Sequence, residues 1–354
     1  MGPHLKVLLV GGGGIGVIAA LSLEASAQVK VTIVLRSNYN TVVEKGYDIT
    51  SCDHGRLRGW RPAQVTNHVP VVSTGETPFD YIVITAKNVP SDGVSMADTI
   101  SPAVTPEITT LVLIQNGLNV EVPYLARFPQ NVILSGVSYA GSQELQYGTI
   151  FHGSHDSLEI GAFRNCNTQK SREIAAAKHF VSLYAASGKA SCQFAPHVQH
   201  DRWRKLVYNA TINPLCAITA LDTGSLRRAG PFVSKLLEDG MAEIIAVAAA
   251  AGHIFPKALS QELLDLDPME DRFEPSMLQD AKKVGGHTLR LGAAINVTKG
   301  NSIEYEYLVG EPLREGIRLN ISMPTISVLY ALCEAIQFKN GAKSSKIVRQ
   351  RLPR

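Results

Sequence analysis

Unbroken apolar runs, each closed by glycine, a polar residue or a turn, dominate the first half of the chain. Residues 6–10 (KVLLV) end in glycine and read as a strand buried on both faces. Residues 15–27 (IGVIAALSLEASA) carry Ile, Ala and Leu at helical spacing, and residues 29–35 (VKVTIVL) are β-branched and strand-like. Residues 81–86 (YIVITA), 111–115 (LVLIQ) and 132–138 (VILSGVS) add further buried strands. Strand, helix and strand alternating in this way predict an α/β fold with a parallel, doubly wound sheet.

The pattern then changes twice. Over residues 139–165 glycines recur at Gly141, Gly148, Gly153 and Gly161 with short β-type runs between them, predicting hairpins or edge strands that close the first domain. After residues 195–200 (APHVQH) the period becomes helical, over 203–221, 231–252, 277–291 and 304–318. The expected organisation is a nucleotide-binding domain at 1–196, an all-helical domain at 197–338 and a tail at 339–354. No internal repeat or long low-complexity stretch interrupts it.

Composition agrees with a folded protein of two domains, at 354 residues, 45% apolar and 18% charged. The net charge of +3 says nothing about nucleic acid by itself, and no nucleic-acid partner is expected. Lys339, Lys343, Lys346, Arg349, Arg351 and Arg354, with no acid among them, make the tail basic, which reads as a solvated end. Five scattered cysteines without a Cys-x-x-Cys pair argue against a disulfide framework and a zinc site. No secretory signal or long apolar span is visible, so a cytoplasmic protein without a membrane partner is expected.

Gly11-Gly12-Gly13-Gly14-Ile15-Gly16 satisfies G-x-G-x-x-G between a strand and an apolar helix, the context a dinucleotide fingerprint needs. Gly11 allows the tight turn, Gly13 lets the backbone approach a pyrophosphate, and Gly16 lets the helix pack on the strand. The helix start at Gly14 and Ile15 presents amides and a partial positive charge to phosphate. An ordinary strand–helix turn is the plain alternative. A P-loop is excluded, because Val17 stands where lysine is required. The second strand ends in Arg36-Ser37-Asn38, where NAD sites place an acid, and a guanidinium suits a 2′-phosphate. NADP(H) is therefore expected over NAD(H).

In residues 203–221 (WRKLVYNATINPLCAITAL), Lys205, Asn209 and Asn213 fall at i, i+4 and i+8, on one face of a continuous helix. Asparagine is a poor helix former, and Pro214 should end or kink the helix after Asn213. A solvent-facing stripe and a polar cleft lining explain the spacing equally well.

These residues resemble those of ketopantoate reductases (2-dehydropantoate 2-reductases). The segment from His200 through Trp203-Arg204-Lys205-Leu206, Asn209 and Asn213-Pro214-Leu215 is similar to the family's, as are Ser276-Met277-Leu278-Gln279-Asp280, Gln115-Asn116-Gly117 and Thr85-Ala86-Lys87. The resemblance spans about residues 5–335. It implies a Rossmann-type domain followed by an all-helical domain of the 6-phosphogluconate-dehydrogenase type. It implies reduction of 2-dehydropantoate to pantoate with NADPH, in pantothenate and coenzyme A synthesis. Lys205 would be the general acid that protonates the substrate carbonyl oxygen and stabilises the alkoxide. Asn209, Asn213 and Ser276 would hydrogen-bond the keto acid. Asn116 and Lys87 would lie near the nicotinamide ribose and the reacting centre, and Glu304 would bind the cofactor. A homodimer is compatible with this reading.

The chain departs from the family on the substrate side. Phe273 stands three residues before Ser276 where some members use asparagine, Val309 replaces an asparagine before Gly310, and extra residues fall within 284–299. A paralogue reducing another keto substrate is therefore kept as an alternative, as is a non-catalytic NADP(H)-binding regulator. No metal is expected: the pairs His152/His155 and His197/His200 lie outside predicted helices and show no third ligand. Asp265, Asp267, Glu270 and Asp271 read as a solvated interhelix loop, and Cys216 as core.

Overall fold

A computed structural model describes residues 4–88, 94–270, 272–282 and 302–339. Their chain path forms two compact units. The first holds residues up to Asn88, Val94–Asn116 and Val120–Asp201, and the second holds Gly117–Asn119 with the residues from Arg202 onward.

The first unit contains strands β1 (Leu5–Val10), β2 (Val29–Val34), β3 (Tyr47–Ser51), β4 (Gly55–Trp60), β5 (Gln64–Thr66), β6 (Tyr81–Ile84), β7 (Thr110–Leu113), β8 (Ile133–Ser138), β9 (Gly141–Gln146), β10 (Thr149–Ser154), β11 (Ser157–Ala162) and β12 (Ser191–Phe194). Helices α1 (Gly14–Glu24), α2 (Tyr39–Lys45), α3 (Met96–Ile100), α4 (Val122–Arg127) and α5 (Lys170–Ala185) connect them. The main sheet has the order β12-β11-β8-β7-β6-β1-β2-β5. Strands β5 to β8 within it are mutually parallel, while β11 runs antiparallel to β8. After β5 the chain recrosses β1 to form β6, so the order reverses between β1 and β6. Doubly wound sheets bind ligands outside the carboxyl ends of the strands at such a point.

The apolar runs are explained by burial on both faces. Val7 and Leu9 of β1 join a core with Val17, Phe180 and Tyr184, whereas Leu8 and Val10 join another with Ile82, Ile84 and Ile100. With alternate side chains pointing to opposite faces, a strand covered by helices on both sides cannot place a polar residue on either.

The glycine-punctuated stretch forms a hairpin, β9–β10, with β9 at a sheet edge, but it is divided between two sheets. β9 and β10 belong to a separate four-stranded sheet, β4-β3-β10-β9, and only β11 joins the main sheet. β3 and β4 had no counterpart in the sequence reading, because their polar and glycine residues, as in GRLRGW, carry no apolar run.

The second unit is helical: α6 (Val198–Asn209, which starts in the first unit), α7 (Ile212–Thr219), α8 (Thr223–Arg228), α9 (Pro231–Ala250), α10 (Leu259–Asp265), α11 (Ser276–Lys282), α12 (Glu311–Arg318) and α13 (Pro324–Lys339). Its core is built on α9, whose Leu237, Met241, Ile244, Val247 and Ala248 form one buried stripe. α8, α10, α12 and α13 pack against it.

The helix expected over 203–221 is in fact two. It breaks at Ala210 and Thr211, before Asn213 and not after it. In a continuous helix the Pro214 ring would meet the carbonyl of residue 210; in the first turn of α7 its missing N–H needs no acceptor. Thr211 closes the break by donating its hydroxyl to the Val207 carbonyl at 2.8 Å. Asn213 therefore does not continue the Lys205–Asn209 stripe of a single helix. The expected helix over 304–318 is a π-helical turn (Glu306–Gly310) running into α12. The helix expected over 277–291 appears as α11, and the extra residues within 284–299, Asp271 and the tail beyond Lys339 lie outside the described residues.

Candidate active site

In the first unit the turn after β1 sits at the reversal point. Gly11 takes a φ of +116°, and a Cβ there would stand 2.4 Å from the Ala86 nitrogen. A Cβ on Gly16 would stand 1.8 Å from the Gly11 carbonyl oxygen, so α1 rests directly on the turn. A Cβ on Gly12 would meet Leu35 at 2.0 Å, and one on Gly14 the backbone of Ser142 and Gln143 at 2.5 Å. Gly13, the residue before α1, is different: a Cβ there would meet nothing among the described residues within 4 Å. The turn is packed on every side but this one, next to the first-turn amides of Gly14, Ile15 and Gly16, which have no helical acceptors.

Three strand ends are tied together around this turn. Thr85 donates its hydroxyl to the Gly11 carbonyl at 2.6 Å, and the Gln115 side-chain amide donates to the Ala86 carbonyl at 2.6 Å. Lys87, just past β6, is exposed, and Asn116, just past β7, is half-buried. Arg36, just past β2, is exposed, while Asn38 is buried. The Asn38 amide donates to the Gly12 carbonyl at 3.0 Å and to Glu144 Oε1 at 2.9 Å, and the Tyr47 hydroxyl donates to the same Gly12 carbonyl at 3.2 Å. Burial, with the nearby Glu144 charge, pushes the Tyr47 phenol well above its usual range. An acid missing from the end of β2 in sequence is thus brought near it by the fold. Glu144 is engaged there, since it also accepts from the Gly148 N–H at 3.0 Å.

In the second unit Lys205 is half-buried and Asn209 buried, one turn apart on α6. Asn213 is buried in the first turn of α7. α11 packs against α7 and carries Ser276 exposed at its first position. Glu304 is buried just before the π-helical turn. The second unit also holds Gly117–Asn119. The Leu118 N–H donates to the Tyr307 carbonyl at 2.8 Å, Arg202 donates to the Gly117 carbonyl at 2.8 Å, and Asn119 donates to Glu311 at 2.9 Å. A Cβ on Gly117 would stand 2.5 Å from Tyr307 Cβ, so this turn and the π-helical turn are in direct contact. The expected site residues therefore fall into two groups, one in each unit.

Residues 7–165 match the family model of ketopantoate reductase PanE/ApbA, and residues 197–285 match that of its C-terminal region. The chain belongs to the ketopantoate reductase family. An uncharacterized protein of Saccharomyces cerevisiae is 33% identical over 356 residues, covering 94% of each chain. The crystal structure of 2-dehydropantoate 2-reductase from Methylococcus capsulatus matches with a TM-score of 0.77 at 27% identity, over 95% of this chain and 98% of that one. A D-mandelate dehydrogenase in a ternary structure with NADH and anilino(oxo)acetate matches with a TM-score of 0.77 at 20% identity, over 95% of this chain and 100% of that one. The last likeness concerns the fold alone.

Against the ketopantoate reductase pattern, the two altered positions differ in kind. Val309 is wholly buried in the apolar core of the helical unit, so its exchange is a packing change, whereas Phe273 is exposed. Cys216 is core as expected, and burial pushes its thiol up to about 12. Asp267 is not merely solvated: it accepts a short hydrogen bond from the Tyr208 hydroxyl, which fastens the loop to α6. His200 lies within α6, contrary to the non-helical placement expected, because the helix starts earlier, at Val198. Sequence reasoning gave no holding role to Thr85, Gln115, Asn38, Tyr47 and Arg202, which hold the turns. The Thr-Ala-Lys, Gln-Asn-Gly and Arg-Ser-Asn segments contained three of them.

Proposed function

We propose that this chain is an NADPH-dependent reductase of a 2-keto acid, with 2-dehydropantoate, reduced to pantoate, as its substrate. One observation carries the reading: in a ketopantoate reductase family member, the turn at the reversal point is packed everywhere except beside Gly13. The residues present fit a dinucleotide. The Gly13–Gly16 backbone would hold the pyrophosphate and Arg36 the 2′-phosphate. Lys87, Asn116 and Glu304 would serve the nicotinamide end. Because Glu144 is engaged by Asn38 and Gly148 while Arg36 faces solvent, the end of β2 favours phosphate over a bare ribose. On this reading residues 1–196 bind the cofactor and 197–338 carry the chemistry.

NADPH, when bound, supplies the hydride. Lys205 holds the proton at Nζ and delivers it to the carbonyl oxygen as negative charge develops there. Its ammonium stabilises that charge, and solvent returns the proton afterwards. Asn209, Asn213 and Ser276 orient the keto acid by hydrogen bonds, which fixes the carbonyl for attack.

A second reading keeps the mechanism and changes the substrate. The exposed Phe273, three residues before Ser276, supports an aryl or bulkier keto acid, and a protein of this fold binds anilino(oxo)acetate. NADPH consumption with ketopantoate, pyruvate, phenylglyoxylate and branched 2-keto acids tests both. Turnover of ketopantoate alone supports the first reading, and turnover of another keto acid alone supports the second. NADPH binding without turnover of any of them would refute both and favour a regulator.

A further inference from the structure

The β3–β4 hairpin closes through Cys52, Asp53, His54 and Gly55, which takes a φ of +72°. β3 pairs in parallel with β10 so that His152 lies opposite Ser51, and the Cys52 N–H donates to the His152 carbonyl at 2.9 Å. This places the turn over the His152 ring. The Cys52 sulfur, an Asp53 carboxylate oxygen and a His152 ring nitrogen all lie within 4.8 Å of one another.

The His152 ring is in an unusual position. Its side chain is 0% exposed, and its Nδ1 lies 2.9 Å from the Ser51 hydroxyl. Its Nε2 is buried without a hydrogen-bond partner among the described residues, 3.9 Å from Asp53 Oδ2. Buried polar atoms are nearly always satisfied, so such an atom calls for an explanation. A gap of 3.9 Å is too long for a hydrogen bond. Two ligands about 2.1 Å from one tetrahedral ion stand about 3.4 Å apart, so closing this gap by about half an ångström would admit the ion.

The surroundings are already arranged as a supporting shell. Ser51 Oγ accepts the amides of Asp53 at 3.2 Å and His54 at 2.9 Å, and it fixes the His152 ring through Nδ1, the nitrogen that the Cys52 sulfur approaches to 4.0 Å. Asp53 accepts from His155 Nδ1 at 2.8 Å through one oxygen and from the Asp156 N–H at 2.8 Å through the other. Ligands of metal ions are oriented by such partners. Cys52 is exposed, so solvent can fill a fourth position.

We propose that Cys52, Asp53 and His152 form a zinc site that clips the β3–β4 hairpin to β10. A thiolate, a carboxylate and an imidazole make the mixed donor set that zinc accepts, and binding would release the Cys52 thiol proton. The site is remote from the glycine turn. Asp156, which bonds Asp53, also accepts from Ser22 in the last turn of α1, whereas the glycine turn lies at its other end. The rise of α1 from Gly14 to Ser22 puts roughly 12 Å between them. A structural clip, not a part of the reductase reaction, is what this location supports. The sequence spacing concealed it, because the ligands lie a hundred residues apart and only the parallel β3–β10 pairing joins them.

The full-length protein, stripped with a chelator, is titrated with Zn²⁺ in competition with a chromophoric chelator and, separately, with Co²⁺. One ion per chain is expected, with a thiolate-to-cobalt charge-transfer band and a thermal midpoint raised by zinc. Cys52→Ser, at an exposed position, should remove the band and the zinc-induced shift and weaken affinity by about tenfold or more. Asp53→Asn should weaken affinity while keeping the band. NADPH binding by each variant serves as the check that it is folded. Absence of stoichiometric binding, or binding whose affinity and spectrum survive Cys52→Ser, would overturn the proposal.

Discussion

Substituting Gly13 by alanine separates a ligand-facing turn from an ordinary one. Gly13 has φ −84° and ψ −168°, an extended conformation that alanine adopts without strain, and its Cβ would meet no atom of the described residues within 4 Å. Two small terms of opposite sign act on the fold. Alanine is a poorer N-cap than glycine by about 0.5–1 kcal/mol. Removing glycine from the unfolded chain returns about 0.4–1 kcal/mol. Gly13→Ala should therefore change stability by less than about 1 kcal/mol, or a few degrees in Tm at most. If the open side receives the pyrophosphate, the added methyl takes its place. NADPH affinity should then fall by ten- to a hundredfold, about 1.4–2.8 kcal/mol. Thermal unfolding and a fluorescence titration with NADPH measure the two effects on the same sample. A variant that binds NADPH as tightly as the wild type would refute the placement of the cofactor beside Gly13.

Gly16→Ala is the opposite case: with the Gly11 oxygen 1.8 Å from the new Cβ, α1 must move, and a stability loss of about 1–3 kcal/mol or more should appear in denaturant unfolding. Arg36→Ala should erase most of the preference for NADPH over NADH, by roughly tenfold for the loss of charged hydrogen bonds, seen as a ratio of kcat/KM values with unchanged NADH kinetics. Asp222 caps α8 by accepting the Ser225 N–H at 2.6 Å, and this bond holds its carboxyl below the usual carboxylate range. Its contribution is therefore present above the unfolded carboxylate pKa and is lost as pH falls through the depressed folded value. Asp222→Ala should cost about 1 kcal/mol at neutral pH and progressively less in acid, measured by unfolding across pH.

The parts of the fold that were readable from the chain are those where burial leaves one choice of residue. β1, β2, β6, β7 and β8 are almost entirely buried, and each announces itself as an apolar run. β3 and β4 are not: with Asp48, Arg56 and Arg58 breaking any apolar run, among the described residues β4 pairs only with β3, and β3 with β10 about a hundred residues later. Such pairing leaves no local period to detect. The same reason hid Glu144 from the end of β2 and His152 from Cys52. The break at Ala210–Thr211 was misplaced by a few residues because proline disfavours the helix before it but is welcome in the first turn. Local sequence cannot decide which side of Asn213 takes the break. The motifs of the proposed site could be read from the chain, and Thr85 and Gln115 lay within them, but Tyr47 and Arg202, which also hold the turns, carried no local signal.

Comparing wild-type and Lys205→Ala protein in NADPH oxidation with ketopantoate and the other 2-keto acids tests the central claim most directly. NADPH affinity is titrated alongside. The account predicts turnover of a 2-keto acid by the wild type, a fall in kcat of about 10²–10⁴-fold in the variant, and NADPH affinity within about twofold of wild type. Undiminished turnover by Lys205→Ala, or a wild-type protein that binds NADPH and reduces none of these acids, would contradict it.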